Sequence, residues 1–313
     1  MVTAAQRIAL ACAVLACTLA GVGCGARPGT GLALGAPAAL PASTRSHVAV
    51  VVMENQELSG VIGRHDAPYV NALARRYALA TNYYAIAHPS LPNYLAILGG
   101  STFGVHSDCT DCSVSAPNLV DQLERSRVSW RAYMEGLPAA CDTAADSGGY
   151  AKKHDPFLYF RDVVSSRARC SQVVPYGRLR GDLRSGRLPD FVWVTPNLCD
   201  DGHDCSLSQA DRYLASIVPA LLHELGPRGV LILTWDEGTS DRSCCGGQAA
   251  GGRVATIVAG PGARAATMSS APYDHYSLLR TVEDLLGLPH LGRAADPRTR
   301  PLDALLRRPG KLR

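Results

Sequence analysis

The chain has 313 residues with 31 basic and 27 acidic side chains, and the resulting net charge of +4 is too small to mark a nucleic-acid-binding surface. Part of that charge lies in the terminal LLRRPGKLR, which reads as a solvated basic end. Beyond the first 24 residues no stretch approaches eighteen uninterrupted apolar residues, which excludes a spanning helix from the body of the chain.

Arg7 precedes the apolar run IALACAVLACTLAGVG, which has the length and composition of a secretory leader, so residues 1–24 read as a signal peptide. Cys24 follows LAGVG in a way similar to a lipoprotein cleavage site, with Gly21 where leucine normally stands. A lipid anchor on Cys24 and ordinary cleavage nearby are both open, and either puts the protein outside the cytoplasm, secreted or held on the outer face of the membrane. Residues 25–44 are almost uncharged Ala, Gly and Pro, a flexible linker. One domain from 45 to 306 follows, within the range of a single α/β unit and expected to be monomeric, and 307–313 form the basic tail.

Within the domain, apolar runs of strand length alternate with helical patterns, which predicts an α/β fold with a mostly parallel central sheet flanked by helices. HVAVVVM (47–53) is the first strand, followed by a helical pattern at 67–78. Helical spacing begins again at Asn93, which places Ser90 just before a helix N-terminus, and a further helix is expected at 117–126. FVWVT (191–195) is the next strand, and SQADRYLASIVPALLHEL (208–225) is a crossover helix with Ser208 as its cap and Asp211 three residues on. The strands GVLILTW (229–235) and RVATIVAG (253–260) precede a last helix at 276–288, with Asp274 as its cap.

Of the 11 cysteines, Cys12, Cys17 and Cys24 lie in the leader, and the remaining even number fits complete pairing in an oxidising compartment. The expected bridges are Cys109–Cys112, Cys199–Cys205 and Cys141–Cys170. That leaves Cys244 and Cys245 as a vicinal pair, with pairing to Cys199 or Cys205 as the alternative. A zinc cluster is disfavoured, because the C-x-x-C at 109–112 has no second copy.

The chemistry gathers where strands end. Glu54 and Asn55 follow the first strand, Asn197 follows the second, and Asp236 and Glu237 follow the third. In open α/β sheets the ligand site lies beyond the carboxyl ends of the strands, so these oxygen-bearing groups converge on one edge. Adjacent carboxylates repel unless a cation or donor neutralises them, and hard divalent cations favour such oxygens. Ser90 before a helix is a candidate nucleophile. Asp201 and His203 lie in a loop that cysteines could staple, His275 precedes the last helix, and KKHD (152–155) offers positive charge. Each has a plain structural alternative as a cap, turn or solvated polar residue.

Taken in order, VVMENQ, APYVNALA, HPSLPNYLAILGG, YAKKHDP, PNLCDDGHD, TWDEG and DHYSLLRTVEDLLGLP resemble the bacterial phosphoesterase family of acid phosphatases and phospholipases C, across most of residues 47–290. That family looks like a branch of the alkaline phosphatase superfamily, and SLPN (90–93) is similar to the nucleophile segment of the nucleotide pyrophosphatases within it. The resemblance implies Ser90 as nucleophile and Asn93 as a phosphate contact. It also implies Glu54, Asp236 and Glu237 around one cation, with Asp201, His203 and His275 near where a second would lie. Asp236-Glu237 in place of Asp-His, and Asn55 beside Glu54, favour a single harder divalent cation (Ca, Mg or Zn) or no obligatory metal.

The expected function is that of an exported acid phosphatase acting on phosphomonoesters, phosphoinositides such as phosphatidylinositol 3-phosphate among them, through a phosphoserine intermediate. His203 or His275 would protonate the leaving group. His88, Lys152, Lys153 and His154 would contact the anionic substrate. A phospholipase C acting on diesters and a non-catalytic surface binding protein are the competing readings.

Overall fold

The computed structural model describes residues 46–143 and 145–307. The expected leader, the linker and nearly all of the basic tail lie outside them. The central sheet is built, in chain order, from β1 (Val48–Met53), β2 (Ala78–Tyr84), β3 (Trp130–Met134), β4 (Val173–Pro175) and β5 (Phe191–Thr195). It continues with β6 (Val230–Trp235), β7 (Arg253–Ala259), β8 (Thr267–Ser269) and β9 (Tyr273–Asp274). The principal helices are α1 (Pro68–Arg76), α2 (Ser90–Gly99), α3 (Leu119–Arg125), α4 (Gly177–Arg184), α5 (Leu207–Glu224) and α6 (His275–Leu286).

The spatial order is β8-β2-β7-β6-β1-β5-β3-β4, with β9 also pairing to β2. β1 is central because its VAVVVM has no polar side chain to give to solvent, and all six residues are buried. It runs parallel to both neighbours, Val48 facing Phe191 of β5 and Met53 facing Trp235 of β6. Every neighbouring pair in the sheet is parallel except those made by β7, which is antiparallel to both β6 and β2. The reason is local: the segment between β6 and β7 holds only a short 3-10 turn at Cys245–Gly247, not the crossover helix that a parallel partner requires. Packing α2 against α6, and α1 and α4 against α5, completes the core.

The four strands read from sequence are all present, with boundaries within a residue. β2 and β3 escaped that reading because Thr81-Asn82 and Arg131 interrupt their apolar runs. The cap of α5 is Ser206, whose Oγ accepts from Gln209 N, rather than Ser208. Asp211 instead caps a different helix: its carboxylate accepts from Tyr69 N at 3.1 Å and Val70 N at 2.8 Å, at the start of α1. Asp274 caps α6 as expected, accepting from Ser277 N at 3.0 Å. Among the described residues the disulfides are Cys109–Cys112, Cys141–Cys170, Cys199–Cys205 and Cys244–Cys245.

Glu283 on α6 is fully buried; its Oε1 accepts from Leu291 N at 2.9 Å, and Oε2 has no partner. Burial pushes its carboxyl up to about 8. A folded value above the unfolded one means that the bound proton stabilises the fold fully below the ordinary glutamate range, and that this contribution is lost as pH rises through about 8. The expected outcome for Glu283→Gln is a melting temperature that falls less than the wild type's between pH 5 and 8, measured in parallel thermal melts.

Candidate active site

One residue beyond the Met53 to Trp235 pairing, β1 and β6 deliver Glu54 and Asp236 side by side. Backbone hydrogen bonds lock the two strand exits together. Asp236 N donates to Met53 O at 2.9 Å and Glu54 N to Asp201 O at 3.1 Å, tying in the loop that follows β5. Asn55 turns the chain at once with φ of 50°, and its N–H donates to Asp236 Oδ1 at 3.0 Å. The loop after Glu237 folds back tightly, which its glycines allow: a Cβ on Gly252 (φ +87°) would lie 2.8 Å from Ser240 O.

Ser90, the first residue of α2, faces this edge. Its Oγ lies 3.2 Å from Glu54 Oε2 and 3.2 Å from Glu237 Oε1. A serine hydroxyl has one proton to give, so it satisfies both groups fully only when one of them is itself protonated. The surroundings favour that state. Glu54 and Asp236 are completely buried and held well above the usual carboxylate range, by desolvation first and then by repulsion, from Asp201 in the case of Glu54 and from Glu54 and Glu237 in the case of Asp236. Burial also raises Glu237 and Asp201 and lowers the imidazole of His154.

His154 is buried between two of these carboxylates, with Nε2 3.1 Å from Glu54 Oε2 and Nδ1 3.5 Å from Asp201 Oδ2. Glu54, His154 and Asp201 each present a ligand atom within 4.8 Å of the others, a spacing that can hold a metal ion. Among the described residues Asp236 Oδ2, Asp201 Oδ2 and His154 Nε2 have no aligned hydrogen-bond partner, the close approaches of His154 to Glu54 and Asp201 included, and buried ligand atoms left in this state fit a cation.

Other sequence-derived candidates land differently. His88 pairs through Nδ1 with Glu237, and its Nε2 reaches Ser240 O at 3.2 Å, so it braces a carboxylate. Lys153 stands at the outer edge, 3.1 Å from Asp108 Oδ2 and 3.4 Å from His203 Nε2. His203, partly exposed, is held by Asp204 at 2.7 Å. Lys152 turns away: its Nζ donates to Thr110 O at 2.6 Å and lies over the Tyr159 ring.

Two expectations meet a different geometry. Asn93 makes four contacts to the preceding loop: Oδ1 accepts from Ile86 N and Ala87 N, and Nδ2 donates to Ala87 O and Pro89 O. That is the full capacity of a carboxamide, which leaves nothing for a phosphate. His275 is wholly buried, with Nε2 donating to Asp236 O at 2.5 Å and Nδ1 accepting from the Tyr83 hydroxyl at 2.9 Å. Burial depresses it to about 4, so it is a neutral prop under Asp236 and not an acid facing a leaving group. Sequence reasoning missed Tyr94, whose hydroxyl donates to Glu54, and Asp108, which accepts from Leu91 N at 3.0 Å. Tyr94 was within reach of it, lying one helical turn beyond Ser90.

The fold recurs in solved structures of low sequence identity. It superposes on a protein in the alkaline phosphatase superfamily from Vibrio parahaemolyticus with a TM-score of 0.55 at 11% identity, over 77% of this chain and 66% of that one. A Bacteroides thetaiotaomicron structure described as BT33336S-sulf aligns with a TM-score of 0.56 at 13% identity, over 84% and 82% of the two chains. The chain belongs to the Phosphoesterase family, whose profile matches residues 53–289. It is 33% identical to the phosphatidylinositol-3-phosphatase of Mycobacterium tuberculosis, over 90% of this chain and 89% of the relative. It is 31% identical to the phosphate-repressible acid phosphatase of Penicillium chrysogenum, over 72% of this chain and 55% of the fungal one. Against the hemolytic phospholipase C of Pseudomonas aeruginosa the identity is 24%, over 76% and 41%.

Like-charged buried carboxylates oppose folding when nothing compensates them. Asp236→Asn is therefore expected to raise the stability of the protein in chelator at neutral pH, because it relieves desolvation of the Asp236 carboxylate and its repulsion with Glu54 and Glu237. Thermal melts of both proteins with EDTA check this, and a lower melting temperature in the variant would contradict it.

Proposed function

We propose that the protein is an exported acid phosphatase that hydrolyses phosphomonoesters, phosphoinositides such as phosphatidylinositol 3-phosphate among them, through a phosphoserine at Ser90. The observation that carries the reading is the Ser90 hydroxyl at the head of α2, bracketed at 3.2 Å by Glu54 and Glu237. Ser90 Oγ attacks phosphorus in line; the Oγ–P bond forms as the bond to the leaving alkoxide breaks, and the serine proton passes to one of the flanking carboxylates. His203, partly exposed beside Lys153, protonates the alkoxide, and Lys153 helps to hold the dianion. Water then cleaves the phosphoserine, releasing phosphate and restoring the hydroxyl.

Glu54, Asn55, Asp236 and Glu237, with His154 and Asp201 behind them, are the residues that would hold one divalent cation (Ca, Mg or Zn); the orphaned atoms of Asp236, Asp201 and His154 and the close spacing of Glu54, His154 and Asp201 support that assignment. Such an ion supplies positive charge that offsets the carboxylates and the developing charge on phosphate oxygens. Four disulfides support export, and Cys24 would anchor the protein if acylated.

Acid-shifted activity follows from the direction of the carboxyl shifts. All four groups are raised, so lowering the pH returns protons to them before it would to ordinary carboxylates, and a phosphate dianion meets less repulsion. The expected results are a pH optimum below 7 on p-nitrophenyl phosphate and loss of about a thousandfold or more of kcat in a folded Ser90→Ala, with no phosphoserine trapped by acid quench. Retained turnover in that variant removes Ser90 from the role. Preference for bis-p-nitrophenyl phosphate assigns a diesterase instead, an alkaline optimum abolished by chelator assigns two-metal chemistry, and no turnover on either ester points to a binding protein.

A further inference from the structure

We propose that Tyr94 is the positioning residue of this site, the group that fixes which oxygen of Glu54 faces Ser90. The inference rests on the reading of Ser90 as nucleophile and adds a residue to it. Ser90 and Tyr94 are four residues apart on α2, so they stand one above the other on the same helical face, and both reach the same carboxylate. Ser90 Oγ takes Oε2 at 3.2 Å, while the Tyr94 hydroxyl donates to Oε1. Oε2 is also the oxygen 3.1 Å from His154 Nε2.

The need for such a group is physical. The last torsion of a glutamate is broad and nearly two-fold, so a buried carboxylate with one oxygen unanchored would turn its lone pairs away from the serine. Tyr94 prevents that without adding charge. An ordinary phenol keeps its proton at acid and neutral pH, so Tyr94 remains a hydroxyl donor there. Its ring is fully buried, stacked on His154 with centroids 5.4 Å apart and planes 16° from parallel, and tilted against Trp193 at 6.3 Å. The ring therefore has no room to swing, and it also fixes the plane of the imidazole that meets Oε2. One aromatic side chain thus sets the directions of two groups beside the reacting oxygen.

Two substitutions separate this role from plain core packing. Tyr94→Phe keeps the ring and its stack on His154 and removes only the hydroxyl; Tyr94→Leu removes both. The expected result for Tyr94→Phe on p-nitrophenyl phosphate is a kcat lower by roughly 10- to 100-fold, with KM within about threefold and the melting temperature close to wild type. Wild-type kcat in Tyr94→Phe together with a loss in Tyr94→Leu overturns the proposal and assigns the ring to packing. Should Tyr94→Phe fail to fold, 3-fluorotyrosine at position 94 decides: a changed kcat at unchanged KM and melting temperature supports the hydroxyl's role, and an unchanged kcat refutes it. Ser90→Ala assayed alongside separates the two readings. An active Ser90→Ala removes the nucleophile itself, whereas an inactive Ser90→Ala beside a fully active Tyr94→Phe removes only the present inference.

Discussion

Four buried carboxyl groups, Glu54, Asp201, Asp236 and Glu237, converge at one end of the sheet, and their mutual repulsion is the constraint around which the rest of the molecule is arranged. Desolvation alone would make each of them costly, and proximity raises that cost further. A chain keeps such a cluster only if the surrounding structure over-determines it. Here the wholly apolar β1 and the wholly buried β6 supply the packing that holds their polar ends together. The backbone bonds from Asp236 N to Met53 O and from Glu54 N to Asp201 O prevent the three exits from splaying apart. What remains uncompensated, the orphaned oxygens of Asp201 and Asp236, is the local conflict that marks a functional edge in an otherwise consistent fold.

Several residues that read as chemistry are the buttresses of this cluster. His275 carries the Asp236 carbonyl, His88 restrains Glu237, and Asn93 shapes the loop that aims Ser90. Each uses its hydrogen-bonding capacity on the protein, and each sits one layer behind an atom that faces the site. A precise site on a loop-rich edge requires this second layer, because a carboxylate held by only one contact can rotate away from its target.

The legible part of the molecule was the part with short-range signal. β1, β5, β6 and β7 announce themselves as apolar runs, and Glu54, Asp236 and Glu237 announce the site by interrupting them. The local cysteine pairs follow from spacing. The remainder depended on direction, which sequence spacing does not carry. Lys152, Lys153 and His154 read as one basic patch, yet a 3-10 turn sends the first to Thr110, the second to the rim of the site and the third into the interior. Asp211 reads as a partner for its own helix and instead caps α1, across a contact that exists only once α1 and α5 pack. Asn93 reads as a ligand for phosphate because a family pattern records identity and leaves out which face of the carboxamide is already occupied.

The charge balance at the edge also bears on what can enter. A phosphomonoester arrives as a dianion close to neutral pH, and the nearest ammonium, Lys153, already faces Asp108 and His203. Asp108 in turn accepts from Leu91 N at the head of α2, a donor that would otherwise point toward an incoming anion. The helix terminus and the lysine therefore offer less positive potential than their positions suggest. The remaining compensation for the dianion comes from protons on carboxyl groups whose affinities burial has raised, or from a cation among them. Both adjoin the Ser90 hydroxyl, so with Ser90 as the proposed nucleophile neutralisation and attack would share one side of the substrate. On that mechanism the leaving group would be directed outward, toward the partly exposed His203 and solvent, where its bulk would meet the fewest constraints.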